Sequence, residues 1–292
     1  MYFAPWPSFE EDEIQAVVNV LKSGKINQWT GNEVNSFERE FAQSVGLDYS
    51  IALANGSLAL DLSLRAFAIG HGDEVIVTSR SFIASASCVV LRGATPVFVD
   101  VDPVSQNITI ESISKAVTSK TKAVIAVNLA GWPCALDKIK SFCEQNDMVL
   151  IEDCAQSHGA QYKERKVGSF GDCSIFSFCQ DKIISTGGEG GMLLTNDKKI
   201  WEKVWSYKDH GKKYDQVFLK EHDPGFRWVI ENFGTNCRMT EMQAAIGRRM
   251  LKKLDRMVEK RRFFADFLNQ NLKNIPGLRV TIPTAEIYHS YY

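Results

Sequence analysis

The chain has 292 residues, 45% of them hydrophobic, and a formal net charge of −1 at neutral pH, a globular composition long enough for a large core and a smaller second unit. Charge this close to balance gives no electrostatic case for nucleic acid or an anionic membrane surface, and no apolar run approaches the roughly 18 residues a spanning helix needs. The opening MYFAPWPSFEEDE lacks the basic and apolar regions of a signal peptide, and seven scattered cysteines without a C-x-x-C pair imply reduced thiols in a cytoplasmic protein and argue against a zinc site.

Residues 9–22 (FEEDEIQAVVNVLK) carry apolar side chains at helical spacing behind an acidic first turn, where the helix dipole favours negative charge. Residues 34–45 read as a second amphipathic helix. IALANGSLALDLSLRAFAIG then predicts a short strand, a turn at Asn55-Gly56-Ser57 and a helix. Apolar runs rich in β-branched residues follow: EVIVTS, TPVFVDVD, KAVIAVNL, MVLIED, CSIFSF and GMLLTND. Helical stretches such as SFIASASCVVLRG and ALDKIKSFCEQN lie between several of them. Strands apolar on both faces that alternate with helices predict an α/β protein with a mostly parallel, doubly covered sheet. From about residue 238 the pattern becomes one long helix without proline, a length that commonly bridges two domains, followed by the opening of another α+β unit. The domain boundary is therefore set at 237/238, with a large domain over 1–237 and the linking helix and the start of a small domain over 238–292.

Three places along this pattern carry chemistry. The Asn55–Ser57 turn opens a helix, so its free N–H groups suit a phosphate, although Ser57 in that position also serves simply as a cap. Asp153 ends the apolar strand MVLIED, at the sheet edge where open α/β folds bind ligands; it either faces a pocket or caps the next helix. Glu152 precedes it, and strand alternation turns the two carboxylates to opposite faces. Lys182 stands between the strand CSIFSF and the glycines of GGEGG. A lysine held there out of water has a lowered pKa and a nucleophilic amine, the setting for condensation with an aldehyde cofactor; a surface lysine on a flexible loop is the alternative.

Taken together, NGSLALDLSL, SFIASASCVVLRGATPVFVDVD, IEDCAQSHGA, FSFCQDK…GGEGG…TND and NCRMTEMQAAIG resemble, in order and spacing, the DegT/DnrJ/EryC1/StrS sugar aminotransferases. The resemblance runs from about residue 5 to the end. It implies the fold type I of pyridoxal 5′-phosphate enzymes, a mostly parallel central sheet covered by helices with a small C-terminal α+β domain. The family's chains continue beyond a motif like IYHSYY, so that small domain is expected to be truncated here. By the same resemblance Lys182 is the covalent anchor of the cofactor and its proton carrier, and Asp153 pairs with the pyridine nitrogen. Gln156 lies near the ring oxygen, Phe82 stacks on the ring, and Gly56, Ser57 and Ser177 contact the phosphate. Asn236 reaches the phosphate of a neighbouring subunit, which implies a homodimer with shared sites. His158 and Glu189 lie in matching motifs and receive no catalytic step. A lysine at 182, where a dehydrating branch of the family has histidine, favours amino transfer, with glutamate as donor and a nucleotide-linked keto-sugar as acceptor for cell-surface polysaccharide such as lipopolysaccharide. Two alternatives remain open at this stage: another activity of the same cofactor, and a truncated, non-catalytic relative. A nucleotide-dependent oxidoreductase fits poorly, because no G-x-G-x-x-G follows the first strand.

Overall fold

The computed structural model of the protein describes residues 6–219, 221, 230 and 232–292. The two amphipathic segments form helices α1 (Glu11–Ser23) and α2 (Glu33–Val45), each stopped by a glycine in the left-handed region, Gly24 and Gly46. The alternating part follows as β1 (Tyr49–Leu53), α3 (Gly56–Ala66), β2 (Glu74–Thr78), α4 (Ala84–Leu91), β3 (Thr95–Val99), α5 (Ile110–Ser114), β4 (Thr121–Val127), α6 (Leu136–Gln145) and β5 (Val149–Asp153). A short hairpin, β6 (Gln161–Tyr162) and β7 (Arg165–Lys166), precedes β8 (Cys173–Ser177), β9 (Gly191–Thr195), α7 (Lys198–Lys208) and α8 (Tyr214–Phe218). The long helix α9 (Glu241–Leu272) and a last short strand, β10 (Ile287–Tyr288), complete the chain.

Among the described residues, seven strands form the central sheet in the order β1-β9-β8-β5-β4-β2-β3. The pairs β2–β3, β2–β4, β4–β5 and β5–β8 are parallel, whereas β9 runs antiparallel to both of its neighbours. Every strand but β9 therefore points its C-terminal end to one edge, and β9 begins there. The continuous apolar runs are explained by cover on both faces. Val75, Val77, Ile125, Ile151 and Ile175 pack on one side with residues of α3, α4 and α7. Ile76, Val124, Leu150, Phe176 and Met192 pack on the other with residues of α2, α6 and α9.

Helix α9 starts with a capping box, in which Thr240 and Gln243 each accept the other's backbone N–H. Its first half lies along α1 and α2. Arg248 pairs with Glu33 at 2.7 Å and Glu40 at 2.6 Å, and Lys253 pairs with Glu10, Asp12 and Glu13. Beyond α9 no regular element occurs until β10, which adds antiparallel to β6. The last residues then run back over the sheet edge, with Ser290 N–H donating to Gly131 O at 3.1 Å and Tyr292 N–H to Ala130 O at 2.9 Å.

Candidate active site

The edge where the parallel strands end opens into a cavity of about 590 Å³. Strand β5 delivers Asp153 to it, β8 delivers Ser177, and the turn after β1 delivers Asn55, Gly56 and Ser57. Phe82 enters from the segment after β2, and Gln156 and Lys182 enter from the loops after β5 and β8. Seven of the eight residues singled out from the sequence thus line one cavity. Asn236 does not line it. It is exposed, pairs with Asp209 in an isolated bridge, and accepts the Arg238 N–H at 3.2 Å.

The turn at Asn55 is held by its own chemistry. Asn55 Oδ1 accepts the Leu58 N–H at 2.9 Å, so Asn55 is the cap of α3 and Ser57 sits inside the first turn. The N–H groups of the first turn have no acceptor within a helix, and those of Gly56 and Ser57 belong to it. Close approach is possible because both contacting positions lack a Cβ. One added at Gly56 would lie 2.8 Å from Ser177 Cβ, and one at Gly191 would collide with the Asn55 backbone.

Alternation along β5 separates the two acids. Glu152 turns away from the cavity, where its carboxylate accepts the N–H groups of Gly168, Phe170 and Gly171 at 2.8, 2.6 and 2.7 Å. Asp153 turns into it, 5% exposed. Its Oδ2 accepts the Ser85 hydroxyl at 2.9 Å and its Oδ1 the Ala155 N–H at 3.1 Å. Burial pushes the Asp153 carboxyl above the usual range; the two donors and the Lys182 charge act the other way. No cation among the described residues is bonded to it. A buried carboxylate with two neutral donors leaves a place for a positively charged partner.

Lys182 has a side chain only 13% exposed. Its ammonium donates to Asp181 Oδ2 at 2.7 Å and to Tyr292 Oη at 3.0 Å. Burial lowers its pKa, and those two hydrogen bonds outweigh burial and raise it. This reverses the expectation of a depressed amine: desolvation is present, but a neighbouring carboxylate holds the proton. Gln156 Oε1 accepts the Ala130 N–H at 2.8 Å, which leaves its NH₂ group without an acceptor among the described residues.

The structure adds residues that sequence reasoning missed. Ser81, Ser85, Cys179, Asp181 and Tyr292 line the cavity; Glu189, named from its motif without a role, lines it too. Ser85 lay in SFIASAS and Asp181 beside the lysine, so their motifs held a signal. Tyr292 had none, because it arrives from the far end of the chain. His158 is elsewhere, buried against the rings of Phe176 and Phe178.

Comparison with known proteins gives one consistent picture. The model of the DegT/DnrJ/EryC1/StrS aminotransferase family matches residues 7–292. A GDP-perosamine synthase of Escherichia coli is 36% identical over 286 residues, covering 98% of this chain and 75% of the relative. A dTDP-3-amino-3,6-dideoxy-alpha-D-galactopyranose transaminase of Aneurinibacillus thermoaerophilus is 39% identical, with 96% and 74% covered. Among solved structures, an aminotransferase from Psychrobacter cryohalolentis superposes with a TM-score of 0.94 at 51% identity, over 99% of this chain and 75% of that one.

Proposed function

The chain belongs to the DegT/DnrJ/EryC1/StrS aminotransferase family, and from that premise we propose that it is a pyridoxal 5′-phosphate-dependent aminotransferase. It moves an amino group from an amino acid, glutamate in our reading, to a keto group on a nucleotide-linked sugar destined for cell-surface polysaccharide such as lipopolysaccharide. The observation that carries this is the convergence of Lys182, Asp153 and the first turn of α3 on one cavity.

The residues fit that cofactor group by group. A pyridine nitrogen that carries a proton suits the buried Asp153 carboxylate, which has neutral donors and, among the described residues, no bonded cation. A phosphate suits the N–H groups of Gly56 and Ser57 and the hydroxyls of Ser57 and Ser177, which meet only because glycine stands at 56 and 191. A ring hydroxyl or oxide suits the spare NH₂ of Gln156. When bound, the cofactor supplies an aldehyde carbon for linkage to amines and a ring that takes up the electron pair left at the donor's α-carbon.

The chain's own residues then have definite tasks. Lys182 would be the amine that holds the group, and when free of it would carry a proton on Nζ. Asp153 would hold a proton on the pyridine nitrogen and so keep the ring electron-poor; Ser85 and Ala155 keep the carboxylate aimed. Phe82, 70% exposed, would cover one face of the ring and exclude water from it. In our reading Asn236 serves the phosphate of a second copy, so the enzyme is a homodimer. We also take residues 1–237 as the cofactor-binding unit and 238–292 as the link to a small C-terminal domain. The protein is assigned to the cytoplasm, where its seven unpaired cysteines stay reduced.

Borohydride reduction of cofactor-loaded protein, followed by peptide mapping, tests the anchor. The cofactor mass is expected on the peptide containing Lys182. Its recovery on another lysine, or on none, overturns the reading.

A further inference from the structure

Lys182 holds a second set of partners that the cofactor reading does not use. Its Nζ lies 2.7 Å from Asp181 Oδ2 and 3.0 Å from Tyr292 Oη, and the Tyr292 hydroxyl donates to the same Asp181 oxygen. The three groups close a triangle. The Tyr292 ring also faces the ammonium, with its centroid 4.8 Å from Nζ, within the range of cation–π attraction. Tyr292 is not there by a loose contact. β10 pairs with β6, Ser290 N–H is bonded to Gly131 O, and Tyr292 N–H to Ala130 O, so the segment is fixed by strand pairing before Tyr292 and by backbone bonds at Ser290 and Tyr292.

We propose that Asp181 and Tyr292 form a dock for the ammonium of Lys182 in every state in which this lysine is not joined to the cofactor. The proposal rests on Lys182 being the anchor. Its content is electrostatic. A free amine that takes up a proton gains an N–H bond and a positive charge, and on a side chain only 13% exposed that charge is stabilised by an anion and an acceptor. Asp181 supplies the anion and Tyr292 the acceptor, at distances of charge-assisted hydrogen bonds. The dock thus favours the lysine that has just received a proton and opposes the neutral lysine that must attack an aldehyde. Asp181 is suited to this, because the Lys182 and Tyr292 hydrogen bonds outweigh its burial and bring its carboxyl down to about 2. The other charged or titratable groups in the cavity wall around Lys182 are Asp153, Glu189 and Cys179, the last of which also acts on Asp181; the Lys182 charge displaces the equilibria of Asp153 and of His158, which lies outside the cavity. Arg261 acts on the Tyr292 side. Asp181 and Tyr292 are positioning residues: they act through Lys182.

The test reads the amine directly in full-length protein freed of cofactor. Competitive acetylation with acetic anhydride across pH 6–11, with the Lys182 peptide quantified by mass spectrometry against an added reference amine, gives the midpoint at which Lys182 becomes neutral. In Asp181→Asn this midpoint is expected to fall by about one pH unit or more, which raises labelling at pH 7.5 about tenfold. Tyr292→Phe is expected to move it the same way by less, and Asp181→Glu to restore it. Unchanged midpoints in both Asp181→Asn and Tyr292→Phe, or a fall that Asp181→Glu does not restore, overturn the dock. Circular dichroism checks that each variant is folded, and Tyr292→Phe alone decides the matter if Asp181→Asn is not. Borohydride mapping on wild-type protein stands apart from this. Cofactor on another lysine refutes the anchor, whereas cofactor on Lys182 with an unmoved midpoint refutes the dock alone.

Discussion

At the scale of single residues, Glu152 and Asp153 show how position along a strand decides chemistry. Both are buried carboxylates, and burial pushes both above the usual range. Glu152 collects three backbone N–H groups, which stabilise its charge and consume its lone pairs. Asp153 receives two donors and keeps capacity for a cationic partner. The replacement Asp153→Asn preserves shape and still accepts from Ser85, but it removes the charge that holds a proton on a ring nitrogen. Folded protein that binds cofactor with turnover reduced about 10²-fold or more is expected, the size of a lost transition-state electrostatic contact. Steady-state kcat at saturating donor, with circular dichroism as the fold control, measures it, and near-normal turnover removes Asp153 from this role. That Asp153 belongs at a ligand-binding edge was readable from MVLIED; that Ser85 aims it was not, because the contact spans 68 positions.

At the scale of elements, the site depends on how closely β1, β9 and α3 meet. Leu53 pairs with Gly191, and the chain passes from there through Asn55 into α3. A side chain at 191 has no room against the Asn55 backbone and the Gly56 nitrogen. Gly191→Ala is therefore expected to displace the turn, with a stability loss of about 1–3 kcal/mol from overpacking and a weakened affinity for the phosphorylated cofactor. Urea melts read the first, and titration with cofactor and with inorganic phosphate reads the second; an unshifted urea midpoint would show that the turn yields without cost. Most elements were legible because their periodicity is strong. Helix α7, with the run KKIWEKVWSYK, went unmarked even though Asp197 caps it. The two-residue strands β6, β7 and β10 carry too little pattern to be read, and they exist because the chain end pairs with a distant hairpin. The long helix was expected to bridge two units; its first half is seated along α1 and α2 by the ion pairs of Arg248 and Lys253, contacts that local periodicity does not encode.

At the scale of the whole molecule, the C-terminal segment ties the cavity mouth to the sheet edge, and a histidine sits in the tie. His289 is buried beside Trp132 and stacked on Tyr291 with centroids 3.9 Å apart. Its Nδ1 accepts the Tyr291 N–H at 2.9 Å, which requires an unprotonated nitrogen. Burial, and then the Arg262 charge, bring its pKa down to about 4. The unfolded chain, near 6.5, thus binds a proton that the folded chain refuses between those values. Stability from this group is present above pH 6.5 and is lost as pH falls, by roughly 1.4 kcal/mol per unit. The buried carboxylates with raised values contribute with the opposite sign, so the comparison must be with a variant. His289→Asn keeps an acceptor and removes the titration. Between pH 6.5 and 5 the wild type is expected to lose about 2 kcal/mol relative to it in urea unfolding. Parallel pH dependence in the two proteins would refute the assignment.

The sequence by itself determined the class of fold, the strands that end at the cavity edge, the place of Lys182 in its motif and the family, because each of these is written in local periodicity or in contiguous motifs. The tertiary structure alone decided which groups face Lys182. A carboxylate one residue away and a hydroxyl 110 positions away raise the basicity of an amine that burial alone would lower. The balance between desolvation and paired charge is set by distances across the fold, and no local pattern of residues encodes those distances.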